Sequence, residues 1–102
     1  MIAENHDFVV IAADVAKTLK TMGHPDRLLV LCYLSEGELG AGELADRSVL
    51  SFSALSQHLA MMRKSGLIQT RREGQNIYYS IKDPSILKIL KALKETYCNN
   101  LY

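Results

Sequence analysis

Only two cysteines occur in this chain, Cys32 and Cys98, and they stand 66 positions apart. There is no CxxC pair, and His6, His24 and His58 are scattered. That excludes a structural zinc module, a secreted disulfide framework and the dithiol centre of a thiol oxidoreductase. No apolar run approaches the roughly 20 residues needed to span a bilayer, so no membrane partner is expected. The opening MIAENHDF is acidic rather than basic, unlike a secretion signal, and the expected location is cytoplasmic. No Ser/His/Asp set or paired carboxylates mark a catalytic centre, so the protein is not expected to be an enzyme and nothing calls for a cofactor. Repeats, linkers and low-complexity segments are also missing. Residues 1–102 are therefore expected to form a single domain.

What is present is a globular composition, 48% hydrophobic and 23% charged, which excludes disorder. The charge is unevenly laid out. Residues 1–50 carry Lys17, Lys20, Arg27 and Arg47 against eight acids. Residues 51–82 carry Arg63, Lys64, Arg71, Arg72 and Lys82 against Glu73 alone. A basic segment on an acidic body suits a local polyanion contact, although a solvated charged face has the same composition.

Periodicity predicts mainly helix. Residues 7–22 are strongly apolar, with Gly23 ending the helix and Pro25 opening the next. Residues 25–35 (PDRLLVLCYLS) are apolar nearly all round, which predicts a central, buried helix. A short helix over Ala41–Arg47 and a turn at Ser48-Val49-Leu50-Ser51 lead into SFSALSQHLAMMRKSG, a helix-turn-helix layout. After Gly66 the period changes. LIQTRR and IYYSI, separated by EGQN, predict a β-hairpin turning at Gly74 and Asn76. Asp83-Pro84 then opens a last helix with Ile86, Ile89, Leu90, Leu93 and Tyr97 as its stripe. The order α-α-α-α-β-β-α is that of a mainly α, winged helix-turn-helix fold.

Residues 51–64 have an unusual outer face. At about 100° per residue, Leu55, Leu59 and Met62 share one side. Ser53, Gln57, Ala60 and Lys64 share the other, with Ser56 and Arg63 at its edge. Lysine or glutamate would serve solvation better than serine, a mediocre helix former. Short side chains let a helix sink into a DNA major groove, and glutamine pairs bidentately with adenine. Ser51 is an expected N-cap whose neighbouring N–H groups can hold a phosphate. Arg71 and Arg72 flank the hairpin tip, where a wing meets the DNA backbone. His58 lies between the two faces, either as a DNA contact or as a satisfied half-buried histidine.

The residues LKTMGHPDRLLVL, GELADR, SALSQHLAMMRKSGLI and GQNIYYSI resemble the ArsR/SmtB family of bacterial winged-helix repressors. The resemblance implies a homodimer built on the first and last helices, binding double-stranded operator DNA and releasing it when an inducer binds. The family's metal boxes have no counterpart. There are no cysteines around Leu39, Gly40 and Gly42, and no histidine in residues 83–98. The cysteine placement is similar to the thiol-switch subgroup of BigR, SqrR, YgaV and HlyU. That likeness implies that Cys32 and Cys98 are a redox switch, linked by reactive sulfur species or oxidants as inducer, with release of DNA. On packing grounds alone, Cys32 in LLVLCYL also reads as a small core residue. Two other readings stand beside the repressor: an HlyU-like anti-silencing activator with structural cysteines, and a winged-helix protein-interaction module.

Overall fold

The computed structural model describes residues 5–98; the first four residues of the opening segment lie outside them. The chain runs α1 (Asn5–Met22), α2 (Pro25–Leu34), β1 (Leu39–Gly40), α3 (Ala41–Arg47), α4 (Phe52–Lys64), β2 (Ile68–Glu73), β3 (Asn76–Ile81) and α5 (Pro84–Tyr97). The four helices, hairpin and closing helix expected from the sequence are present. The two-residue β1 was not foreseen. It pairs antiparallel with β3 (Leu39 with Tyr79, Gly40 with Tyr78) and gives the sheet the order β1-β3-β2. Two residues carry too little periodicity to signal a strand.

Local chemistry sets the boundaries. His24 is the N-cap of α2, its Nδ1 accepting the Asp26 N–H at 3.1 Å ahead of Pro25. The α1–α2 break does fall at Gly23, but not through a left-handed glycine, since Gly23 has no positive φ. A Cβ there would lie 3.2 Å from the Leu19 carbonyl oxygen, so glycine is favoured by close approach. At the end of α4, Gly66 has φ +80, Gly66 N–H donates to Arg63 O and Leu67 N–H donates to Met62 O. Those are the paired bonds of a Schellman ending, and they turn the chain into β2. Gly74 (φ +63) and Gln75 form the hairpin turn, with Asn76 already in β3 opposite Glu73. The turn thus spans the expected EGQN stretch with Gly74 central, but its second central residue is Gln75 and Asn76 closes it. Only its first central residue has positive φ, the sign pattern of a type II′ turn.

The core joins Val30, Leu31 and Leu34 of α2 to Leu44, Leu55, Leu59, Met62, Ile68, Ile86 and Leu90. α2 is central, but Leu29 is 41% exposed, so its apolar circumference is not covered all round. In α5, Ile86 and Leu90 are buried, Ile89 and Leu93 half-buried, and Tyr97 is 76% exposed. The expected stripe therefore leaves the core at its C-terminal end. Most of α1 also faces outward: Phe8, Val9, Val10, Ile11, Val15 and Leu19 are each about half exposed.

Candidate DNA interface and thiol pair

Helix α4 is built to show one face. Ser51 is its N-cap, the hydroxyl accepting the Ala54 N–H at 3.1 Å. Before it, the Ser48 hydroxyl accepts the Leu50 N–H at 3.0 Å and shapes the turn from α3. Leu55, Leu59 and Met62 anchor the inner face, as the heptad-like spacing predicts. Ser51, Ser53, Ser56, Gln57, Ala60, Arg63 and Lys64 are all exposed. Of these, all but Ala60 are residues expected to meet DNA; Ser53, Ser56, Gln57, Arg63 and Lys64 share one side of the helix, and Ser51 caps its start. Among the described residues, no acid pairs with Arg63 or Lys64.

His58 stands apart from them. Its side chain is 17% exposed, and Nε2 lies 3.6 Å from Asp26 Oδ2 on α2. The ring also sits 4.7 Å from that of His24. It occupies a half-buried position, apart from the exposed side that carries Ser53, Ser56 and Gln57. Two residues that sequence reasoning passed over do stand at this surface: Val49, 89% exposed in the turn, and Phe52, 71% exposed at the helix start. Periodicity gave no signal for either: Val49 lies in a turn, and Phe52, seven residues before Leu59, falls on the buried side at about 100° per residue.

The two wing arginines differ. Arg71 Nε and Nη2 donate to the two carboxylate oxygens of Glu38 at 3.1 and 2.7 Å, and Nη1 donates to Glu73. Its guanidinium lies 4.6 Å over the centre of the Tyr78 ring, the residue it opposes across the hairpin. Hydrogen bonding to Arg71 holds the Glu38 carboxyl below its ordinary range and raises the arginine further above its own. Arg72 points elsewhere, exposed and without an acidic partner among the described residues.

Cys32 and Cys98, distant in sequence, converge at the junction of α2 and α5. Both are half-buried free thiols. Cys98 caps α5, its N–H donating to Lys94 O. Lys94 Nζ donates to Ser35 Oγ at 2.6 Å, and Ser35 Oγ donates to Cys32 O at 2.6 Å. Burial pushes the Cys32 thiol up, the Lys94 ammonium pulls it partly back, and a charge on Cys98 pushes it up again. A charge on Cys98, at the end of α5, therefore bears on Cys32 in α2.

With this geometry in place, comparison with known proteins decides the family. Residues 24–70 match the model of the bacterial regulatory protein, arsR family. The HTH-type transcriptional regulator YgaV of Escherichia coli K12 is 52% identical over 85% of this chain and 89% of its own length. The chain belongs to the ArsR family.

The transcriptional activator HlyU of Vibrio cholerae is 41% identical over 85% of this chain and 81% of its own. The crystal structure of the transcriptional repressor BigR from Xylella fastidiosa superposes with a TM-score of 0.85 at 35% identity, covering 94% of this chain and 98% of that one. The protein is accordingly a DNA-binding transcriptional regulator with a winged-helix fold, of a family whose members are not enzymes. No helix among the described residues is long and apolar enough to cross a membrane.

Proposed function

We propose that this protein is a cytoplasmic homodimeric repressor that leaves its operator when Cys32 and Cys98 become covalently linked. The observation that supports the reading is the placement of two free thiols, one in the central helix and one at the end of α5, with the charges of Lys94 and Cys98 both bearing on Cys32. The apolar faces of α1 and the exposed Leu87 and Tyr97 of α5 support a dimer, since exposed apolar patches of this extent mark interaction surfaces. In the dimer, two copies of α4 present Ser53, Ser56 and Gln57 to successive major grooves, and Arg63, Lys64 and Arg72 neutralise phosphate.

The chemistry balances with an inorganic polysulfide as oxidant. One thiolate attacks a terminal sulfane sulfur and expels the shortened polysulfide, leaving a persulfide. The other thiolate attacks the inner sulfur of that persulfide, forming the S–S bond and releasing hydrosulfide. Two thiols lose two protons and two electrons, and one sulfane sulfur is reduced. A second sulfane sulfur inserted first gives a trisulfide by the same accounting. Because α5 belongs to the dimer contact, tying it to α2 biases the spacing of the recognition helices, which is how a local link reaches the DNA.

One observation favours a second reading, an anti-silencing activator with structural cysteines. Burial raises the Cys32 thiol and so lowers its thiolate fraction at neutral pH. Intact-mass and peptide mapping under non-reducing conditions separate the two. A Cys32–Cys98 peptide bridged by extra sulfur after polysulfide treatment, with loss of operator binding, supports the switch. Cysteines that remain separately alkylatable sink it and leave the activator.

A further inference from the structure

His24, Asp26 and His58 come from different places in the chain but meet in the structure. The first two open α2, and His58 lies midway along α4. One donor atom from each residue lies within 4.8 Å of the other two. His58 Nε2 is 3.6 Å, and His24 Nδ1 3.9 Å, from Asp26 Oδ2. All three side chains are partly shielded, with exposures of 40, 36 and 17% for His24, Asp26 and His58.

We propose that these three residues bind a divalent transition-metal ion of the zinc class, which ties the recognition helix to the start of α2. Two imidazoles and one carboxylate are a donor set suited to such ions. Bound at about 2.0–2.2 Å, zinc separates its nitrogen and oxygen ligands by roughly 3–4 Å. Two of the three separations already fall in that range, and the third, no more than 4.8 Å, needs at most about an ångström of closure. One carboxylate against a dication leaves a net positive centre, and three protein ligands leave a position for water.

His24 bears the cost of loading. A ring whose Nδ1 accepts the Asp26 N–H keeps its own proton on Nε2, so the ion takes the lone pair that now caps α2. One cap hydrogen bond is exchanged for three coordinate bonds. The ion holds His58 in its half-buried place and fixes the rotation of the helix that carries Gln57. Neither cysteine takes part, so the site stands independently of the thiol switch.

The test is a zinc titration against a chromophoric competing chelator, in a Cys32→Ser/Cys98→Ser background that removes thiolate ligands. The expected result is one ion per chain, with affinity reduced about tenfold or more in both His24→Asn and His58→Gln. Asparagine is itself a preferred N-cap, so the first variant keeps the start of α2. Substoichiometric binding in the parent overturns the site, as does a loss in neither variant or in only one. Imidazole nitrogen NMR on the parent needs no variant. The ring signals of His24 and His58 should shift on adding zinc, and a shift confined to His6 overturns the assignment.

Discussion

Arg71 grips Glu38 through both carboxylate oxygens, at 3.1 and 2.7 Å, joining the wing hairpin to the segment that enters β1. With Tyr78 beneath it and Glu73 beside it, Arg71 braces the wing. Arg72, one residue on, is exposed, has no acidic partner among the described residues, and is the one proposed to meet phosphate. Arg72→Ala should weaken binding to operator and random DNA alike and lower the slope of log affinity against log salt by about one. Arg71→Ala should change that slope less, and should raise hydrogen exchange in β2 and β3 instead. Equal slope changes in both variants would place Arg71 on the DNA. The brace also has a pH window. The Glu38 pKa is depressed in the folded protein, so its contribution is fully present above the ordinary value of 4.5 and is lost as pH falls through the lowered value.

Gln57 is exposed at the middle of the α4 surface, flanked by Ser53 and Ser56. If its amide pairs bidentately with one adenine, Gln57→Ala should cost about 1–3 kcal/mol of discrimination at one base position. The check is a selection of binding sites from a randomised duplex pool by both proteins. Preference should relax at one position per half-site, with random-sequence affinity little changed. A uniform loss on all duplexes would make Gln57 a backbone contact.

Residues 51–66 were the most legible stretch, because there the inner and outer faces make different chemical demands. Leu55, Leu59 and Met62 are buried, and the serines and Gln57 are exposed, as a 3.6-residue period requires. Caps were legible for the same local reason: Ser51 and Asp83 each accept a backbone N–H where their helices start. What escaped were relationships made by tertiary distance. Nothing near Arg71 in the sequence points to Glu38, 33 positions away. Nothing links His58 to Asp26 before α2 and α4 pack. Nothing in the sequence points from Lys94 to Ser35, 59 positions away, or to Cys32, yet it bonds the first and acts on the second. The exposure of Leu29 and Tyr97 could not be read from periodicity, because an apolar residue looks the same whether its own chain or another covers it.

The Ser51 cap gives a stability prediction. Its hydroxyl satisfies the Ala54 N–H, one of the unpaired donors at the start of α4. Ser51→Ala should destabilise the fold by about 1 kcal/mol in denaturant unfolding, and Ser51→Asp should restore most of that because aspartate also caps. The two variants part on DNA. Aspartate places a negative charge where a phosphate would meet the helix N-terminus, so it should fold well and bind weakly. Strong binding by Ser51→Asp would mean that no phosphate sits there.

Exposed apolar residues on α1 predict an assembly. Ile11 and Val15 lie one turn apart and are 57% and 46% exposed. Ile11→Glu should shift the molecular mass in sedimentation from two chains to one without unfolding the body, because neither residue belongs to the core. A dimer that survives Ile11→Glu together with Val15→Glu would place the contact elsewhere.

Lys94 moderates how reactive Cys32 is. Burial has the largest effect on that thiol and raises it, while the ammonium of Lys94 opposes the rise. A raised thiol carries less thiolate at a given pH, so alkylation of Cys32 should climb at higher pH than for a free cysteine. Lys94→Met removes the opposing charge and should move the pH–rate midpoint for Cys32 higher still, slowing alkylation at neutral pH. Ser35→Ala is the control, since it removes the hydrogen-bond acceptor of Lys94 and keeps the charge. If Lys94 acts through its charge, Ser35→Ala should shift the midpoint less than Lys94→Met. Equal shifts would mean that the bridge to Ser35, by fixing the α2–α5 junction, sets how Cys32 is shielded. The profile is read peptide by peptide from the mass of alkylated Cys32, so reaction at Cys98 does not confuse it.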